Sequence, residues 1–253
     1  MTIKIMWLGV MLAGMAWWLR RDIAAYRRFM LLTDTADRQR VYWQWIVQSF
    51  AILAGASVLS LWLADALNPF DAFPAAFNAA HHALRPEPSA QSSDSLLGAA
   101  IGAGVGIAVL LLVQWWRIKR MLAPVQGTVD ALLPRNGRES AIALVLSINA
   151  GVSEELFFRM ALPLLLFQIT GSLWSAFVLA GVAFGLAHAY QGWRGIAGTM
   201  LVGGLLTLSY LASGSLLRVM VIHAAIDVVA LIVRPALSQW VARRTAPQAA
   251  AMA

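Results

Sequence analysis

Between residues 140 and 167 the chain runs through apolar side chains almost without a break, and in the middle of that run stand Glu154, Glu155 and Arg159. No other stretch limits the fold so tightly. A continuous apolar segment of this length crosses a bilayer as a helix. One charge at the centre of such a helix costs about 2.5–3.5 kcal/mol on insertion scales. Three charges within six residues would cost on the order of 8–10 kcal/mol if summed, before pairing recovers part of it. The charges therefore need partners on neighbouring helices, and intramembrane charge reads by default as a functional site.

Other apolar runs can supply those neighbours. They cover residues 3–19, 42–67, 96–116, 173–190, 196–211 and 216–233. The 253 residues are 60% hydrophobic and only 12% charged, with mean hydropathy +0.71, where a soluble domain carries about 25% charged residues. The fold class is all-α: a polytopic transmembrane helix bundle of seven spans, or eight if the long segments divide.

The net charge of +7 does not point to nucleic acid. The basic residues cluster between the apolar runs, at 20–40 and 117–139, as the positive-inside rule predicts for cytoplasmic loops. Seven spans with the N-terminus outside place both loops, Arg194 and the C-terminus on the cytoplasmic side. In residues 3–19 the stronger positive charge follows the apolar run, at Arg20-Arg21, and Trp17-Trp18-Leu19 is a poor cleavage context, so they read as an uncleaved helix. Residues 23–32 read as a short amphipathic surface helix. The compact loops and short tail suggest a bacterial inner (plasma) membrane. Eleven tryptophans and four tyrosines suit an interfacial aromatic belt. Zero cysteines exclude a thiolate metal site and a cysteine nucleophile.

Three regions follow. Residues 1–137 form an N-terminal three-helix membrane region with basic cytoplasmic loops, 138–234 a helical core, and 235–253 a flexible tail. His81-His82 falls in an outer loop and reads as solvated, since two adjacent His without further ligands rarely make a metal site. Gly102, Gly104 and Gly106 neither follow a strand nor open an amphipathic helix, so they read as helix packing and not as a nucleotide loop.

The polar residues of the core are few and regularly spaced. Glu155 and Arg159 are i,i+4 in the order that favours an ion pair. Glu154 points about 100° away around the helix and has no partner on it, which makes it the candidate general base. Phe184 and His188 are i,i+4, so the ring can wall one side of the imidazole. His223 and Asp227 are i,i+4 as well, and the carboxyl can fix the imidazole's tautomer. Two His and one Glu are also a catalytic zinc set, so Glu154, His188 and His223 are the candidate ligands if a metal is used; no other cofactor is suggested.

Glu154-Glu155-x-x-x-Arg159, Phe184-x-x-x-His188 and His223-x-x-x-Asp227, in that order on successive spans, resemble the CPBP family of CAAX proteases, the Abi family. The resemblance covers about residues 138–234. It implies an intramembrane endopeptidase in which Glu154 and His188 activate water, and His223 and Asp227 bind the oxyanion or orient the substrate. Glu155, Arg159 and Phe184 support them. Asp227 stands where family members often have Asn, and Met160 where Gly often follows the Arg. The implied partners are the lipid bilayer and a membrane protein or lipidated peptide as substrate. Two other readings remain: a transporter or proton relay, which also uses intramembrane Glu, His and Asp, and an inactive family member acting as a membrane interaction partner. The first would show matching repeats in the two halves, and none is visible.

Overall fold

The structure, a computed structural model, describes residues 1–66, 73–84 and 130–245. Among them every regular element is helical. The main helices are α1 (Thr2–Phe29), α2 (Thr35–Leu63), α3 (Asn78–Leu84), α4 (Gly137–Glu155), α5 (Leu162–Thr170), α6 (Leu173–Ala187), α7 (Gly192–Ser213), α8 (Leu216–Val228) and α9 (Arg234–Thr245). Leu156–Ala161 joins α4 to α5 as a π-helical segment, and Val229–Val233 joins α8 to α9 in the same way.

Five helical stretches among the described residues are long and apolar enough to cross a membrane: Thr2–Phe29, Thr35–Leu63, Gly137–Thr170, Ala189–Ser213 and Leu216–Leu237. Helix α6 is apolar but shorter, at 15 residues. The expected span at 96–116, with its three glycines, lies outside the described residues, as do residues 117–129 and 246–253. Many large apolar side chains point outward, among them Phe50, Trp62, Val178, Leu201 and Val221. On a membrane bundle these form the face turned to lipid.

Polar caps set the helix starts. The Asp34 side chain accepts from the Ala36 amide, Asn136 from Glu139, Ser172 from Ser175 and Ser215 from Arg218, each satisfying an amide the first turn leaves open.

Helix α1 runs ten residues past the expected end of its span at residue 19, and the surface helix expected at 23–32 is its last turns. The extension has a core of its own. Tyr26 stacks on Tyr190 at 5.1 Å, and Phe29 packs on Tyr42 and Trp45 at 5.1 and 4.9 Å. Arg38, expected in a solvated basic loop, is fully buried at the start of α2. Its guanidinium lies 3.3 Å from Glu139 at the start of α4, over the Phe29 ring, and against the Ala131 and Leu133 carbonyls. A buried ion pair needs further hydrogen bonds to offset desolvation, and here Thr35 and the Arg135 amide also bond Glu139.

His81 is not solvated. It lies on α3, half-buried, with Nδ1 2.6 Å from the Leu211 carbonyl and its ring 5.4 Å from Phe73. Phe77 and Ala80 bury the other side of that helix, so the expected loop is locally helical because it has an apolar face to cover. Residues 234–245 are helical too, where a flexible tail is expected from 235.

Helix α4 is the central element, packed on α8 and on α2. Gly151 makes the α4–α8 contact close. A Cβ there would sit 2.7 Å from the Met220 carbonyl oxygen, so only hydrogen fits. That approach brings the end of α4 against α8 at the level of Glu155 and His223.

Candidate active site

Glu154 and Glu155 occupy the last turn of α4, immediately before the π segment. Their environments differ completely. Glu155 is 0% exposed. One of its oxygens meets Arg159 Nε at 3.0 Å, and the other accepts from His223 Nδ1 at 2.6 Å. Glu155 thus joins the π segment to α8.

Arg159 is 1% exposed. Beyond Glu155 it donates to the Gly203 carbonyl on α7 at 3.3 Å and lies 4.0 Å above the Phe184 ring, a cation–π contact in a desolvated place. Gly203 allows this. A Cβ at that position would fall 2.6 Å from the Phe184 ring and 3.2 Å from the guanidinium.

Phe184 is the hub of the aromatic packing. Its ring centroid is 4.9 Å from His188, 6.1 Å from His223 and 5.2 Å from Phe158. Its carbonyl takes the His188 Nδ1 contact at 2.9 Å. A carbonyl only accepts, so Nδ1 carries the hydrogen and Nε2 of the neutral ring presents a lone pair. That Nε2 lies 3.9 Å from Glu154 Oε2, beyond direct hydrogen-bond range. Glu154 Oε2 is buried and makes no hydrogen bond among the described residues.

The sequence motifs thus come together, with one correction. His223 is oriented by Glu155 and not by Asp227. Asp227 Oδ2 stands 3.7 Å from His223 Nε2, too far for a hydrogen bond, whereas Glu155 reaches Nδ1 from across the helix interface. Among the described residues no group of three or more His, Cys, Asp or Glu converges to hold an ion, while His188 and His223 both bond the protein through Nδ1 and leave Nε2 unbonded.

Glu154 and His188 line a cavity of about 680 Å³ whose other walls come mainly from α1 and α2. The cavity is apolar along most of its length, with Trp7, Met11, Trp17, Ile52 and Leu53 among its walls. Five polar residues of this cavity escape sequence reasoning, two of which, Asn149 and Ser49, bond each other at 2.8 Å. Asp22 and Tyr26 of α1 line the same cavity, as does Tyr190, which follows His188 by two residues. Asp22 lies within electrostatic reach of both His188 and Glu154. The available signal was a lone carboxylate among the arginines at 20–28, four residues before a tyrosine.

A half-buried carboxylate thus faces an imidazole lone pair at the end of an apolar cavity, in a bundle of membrane-length helices. Residues 137–229 match the family model described as Type II CAAX prenyl endopeptidase Rce1-like, which supports the resemblance of that segment to the CAAX proteases of the CPBP family. The matched region contains all seven motif residues from Glu154 to Asp227. No curated protein and no solved structure matches the chain.

Proposed function

We propose that the protein is an intramembrane endopeptidase that hydrolyses a peptide bond of a membrane-associated protein or peptide, with Glu154 as general base. The observation that carries this reading is the division of labour between adjacent carboxylates. Glu155 is fully engaged by Arg159 and His223, while Glu154 faces the cavity opposite the Nε2 lone pair of His188.

Glu154 and His188 Nε2 are both acceptors, and a gap of 3.9 Å suits a water that donates one hydrogen to each. As the water oxygen bonds to the peptide carbonyl carbon, Glu154 takes its proton. The tetrahedral intermediate collapses when Glu154 returns that proton to the leaving nitrogen, giving a carboxylic acid and an amine. His223, held at Nδ1 by Glu155, offers Nε2 on the side of Asp227. With a hydrogen on each ring nitrogen it donates from Nε2 to the developing oxyanion, and Asp227, 3.7 Å from that nitrogen, is a nearby counter-charge to the ring.

The test is cleavage of membrane-anchored peptides by purified full-length protein in proteoliposomes. Glu154→Ala should lower kcat by about 10²–10⁴-fold, the usual contribution of a general base, and leave the protein monodisperse. Cleavage at the wild-type rate by Glu154→Ala would overturn the base assignment. Comparative membrane proteomics of wild-type and Glu154→Ala cells should then show substrates accumulating uncleaved. Proton or solute flux in the same liposomes, with no proteolysis, would favour a transporter.

A further inference from the structure

Helix α1 lies outside the family-matched segment, yet it supplies the cavity wall that faces Glu154 and His188. Asp22 and Tyr26 are one helical turn apart, on one face of α1, and both line the cavity.

Tyr26 is only 3% exposed, and its hydroxyl has no hydrogen-bond partner among the described residues. A buried hydroxyl without a partner is costly and rare. The ring is held in place by Tyr190 at 5.1 Å, which fixes the position of the hydroxyl oxygen at the cavity wall.

The charges at this end of the cavity are unbalanced. Among the described residues, Asp22 and Glu154 are its carboxylates, and no lysine or arginine lines it. Arg159 is closed off by Glu155, the Gly203 carbonyl and the Phe184 ring. A free C-terminal carboxylate on a ligand would face two carboxylates and find no counter-charge. A lysine or arginine side chain would meet both.

We propose that α1 is the wall that reads the substrate: Asp22 receives a basic side chain of the bound peptide, and the Tyr26 hydroxyl donates to a backbone carbonyl beside it. This rests on the endopeptidase reading of Glu154 and His188. The substrate class is then a membrane-anchored peptide whose apolar part occupies the cavity and whose adjoining basic residue lies next to the cleaved bond. Because a charged contact inside the cavity is poorly screened, it acts as a selector and not only as an attractor.

The test uses the full chain in nanodiscs and fluorescent lipid-anchored peptides, with a single Lys, Gln or Glu walked through each position next to the anchor. Binding is read by anisotropy, and cleavage is measured separately. At the reading position the wild type should bind the Lys peptide about tenfold more tightly than the Gln peptide, the scale of one charge-assisted contact. Asp22→Asn should abolish that ratio and Asp22→Glu should keep it. Tyr26→Phe should weaken all three peptides equally and leave the ratio unchanged. A Lys-to-Gln ratio that is the same in Asp22→Asn as in wild type, or tightest binding of the Glu peptide, overturns the proposal. The two readings fail separately. Asp22-dependent binding without any cleavage sinks the protease assignment alone, and cleavage with no charge preference at any position sinks the role of α1 alone.

Discussion

Glu155 is the residue at which the two halves of the site meet, since its carboxylate holds Arg159 with one oxygen and His223 with the other. Removing the guanidinium would leave that carboxylate buried without its counter-charge. Breaking a buried pair from one side costs about 3–5 kcal/mol. Arg159→Ala should therefore lower stability by about that much, read as a fall in thermal midpoint in detergent, as well as lower the rate. A stable, monodisperse but inactive Arg159→Ala protein would make Arg159 directly catalytic. The i,i+4 pairs were legible because helical spacing alone brings such residues onto one face. The partner of His223 was not legible, because Glu155 is 68 positions away in the chain and periodicity carries no information about which helices touch. The same blindness hid Arg38. A basic residue between apolar runs reads as a topology signal, yet here it is buried on Glu139.

At the scale of elements, hydropathy located the long helices but not their ends or their internal register. It stopped α1 where the arginines begin, although Tyr26 and Phe29 carry the helix further by packing on Tyr190, Tyr42 and Trp45. It could not see the π segment Leu156–Ala161, because apolar composition is the same whichever hydrogen-bond register the backbone takes. That widened turn immediately follows Glu154 and Glu155, in keeping with the frequent occurrence of π segments at functional sites. The seam between α4 and α8 is open to a direct test. Gly151→Ala should push the helices apart and cost about 1–3 kcal/mol, measured as a fall in thermal midpoint with loss of activity. Gly198→Ala on α7 is the control, since nothing lies within 4 Å of its added Cβ. It should leave the midpoint unchanged or raise it slightly, as expected for relief of a helix glycine.

At the scale of the whole molecule, the apolar exterior and the enclosed polar residues together require a membrane. The protein should stay with membranes after alkaline carbonate extraction, and release into the supernatant would contradict a spanning bundle. The same preparation addresses metal. Activity that persists after exhaustive chelation, with elemental analysis showing no bound metal, rules out zinc; loss restored by zinc alone would establish it. The buried pair of Arg38 and Glu139 also sets the order of assembly in time. The two residues are separated by 101 positions, so at roughly 5–20 residues per second a ribosome needs about 5–20 s to deliver the second after the first. Until then α2 has no carboxylate on which to lock, and residues 67–138 must already have been synthesised. Arg38 therefore waits for α4 during synthesis, and the later segment that carries Glu139 closes the bundle over the first two helices.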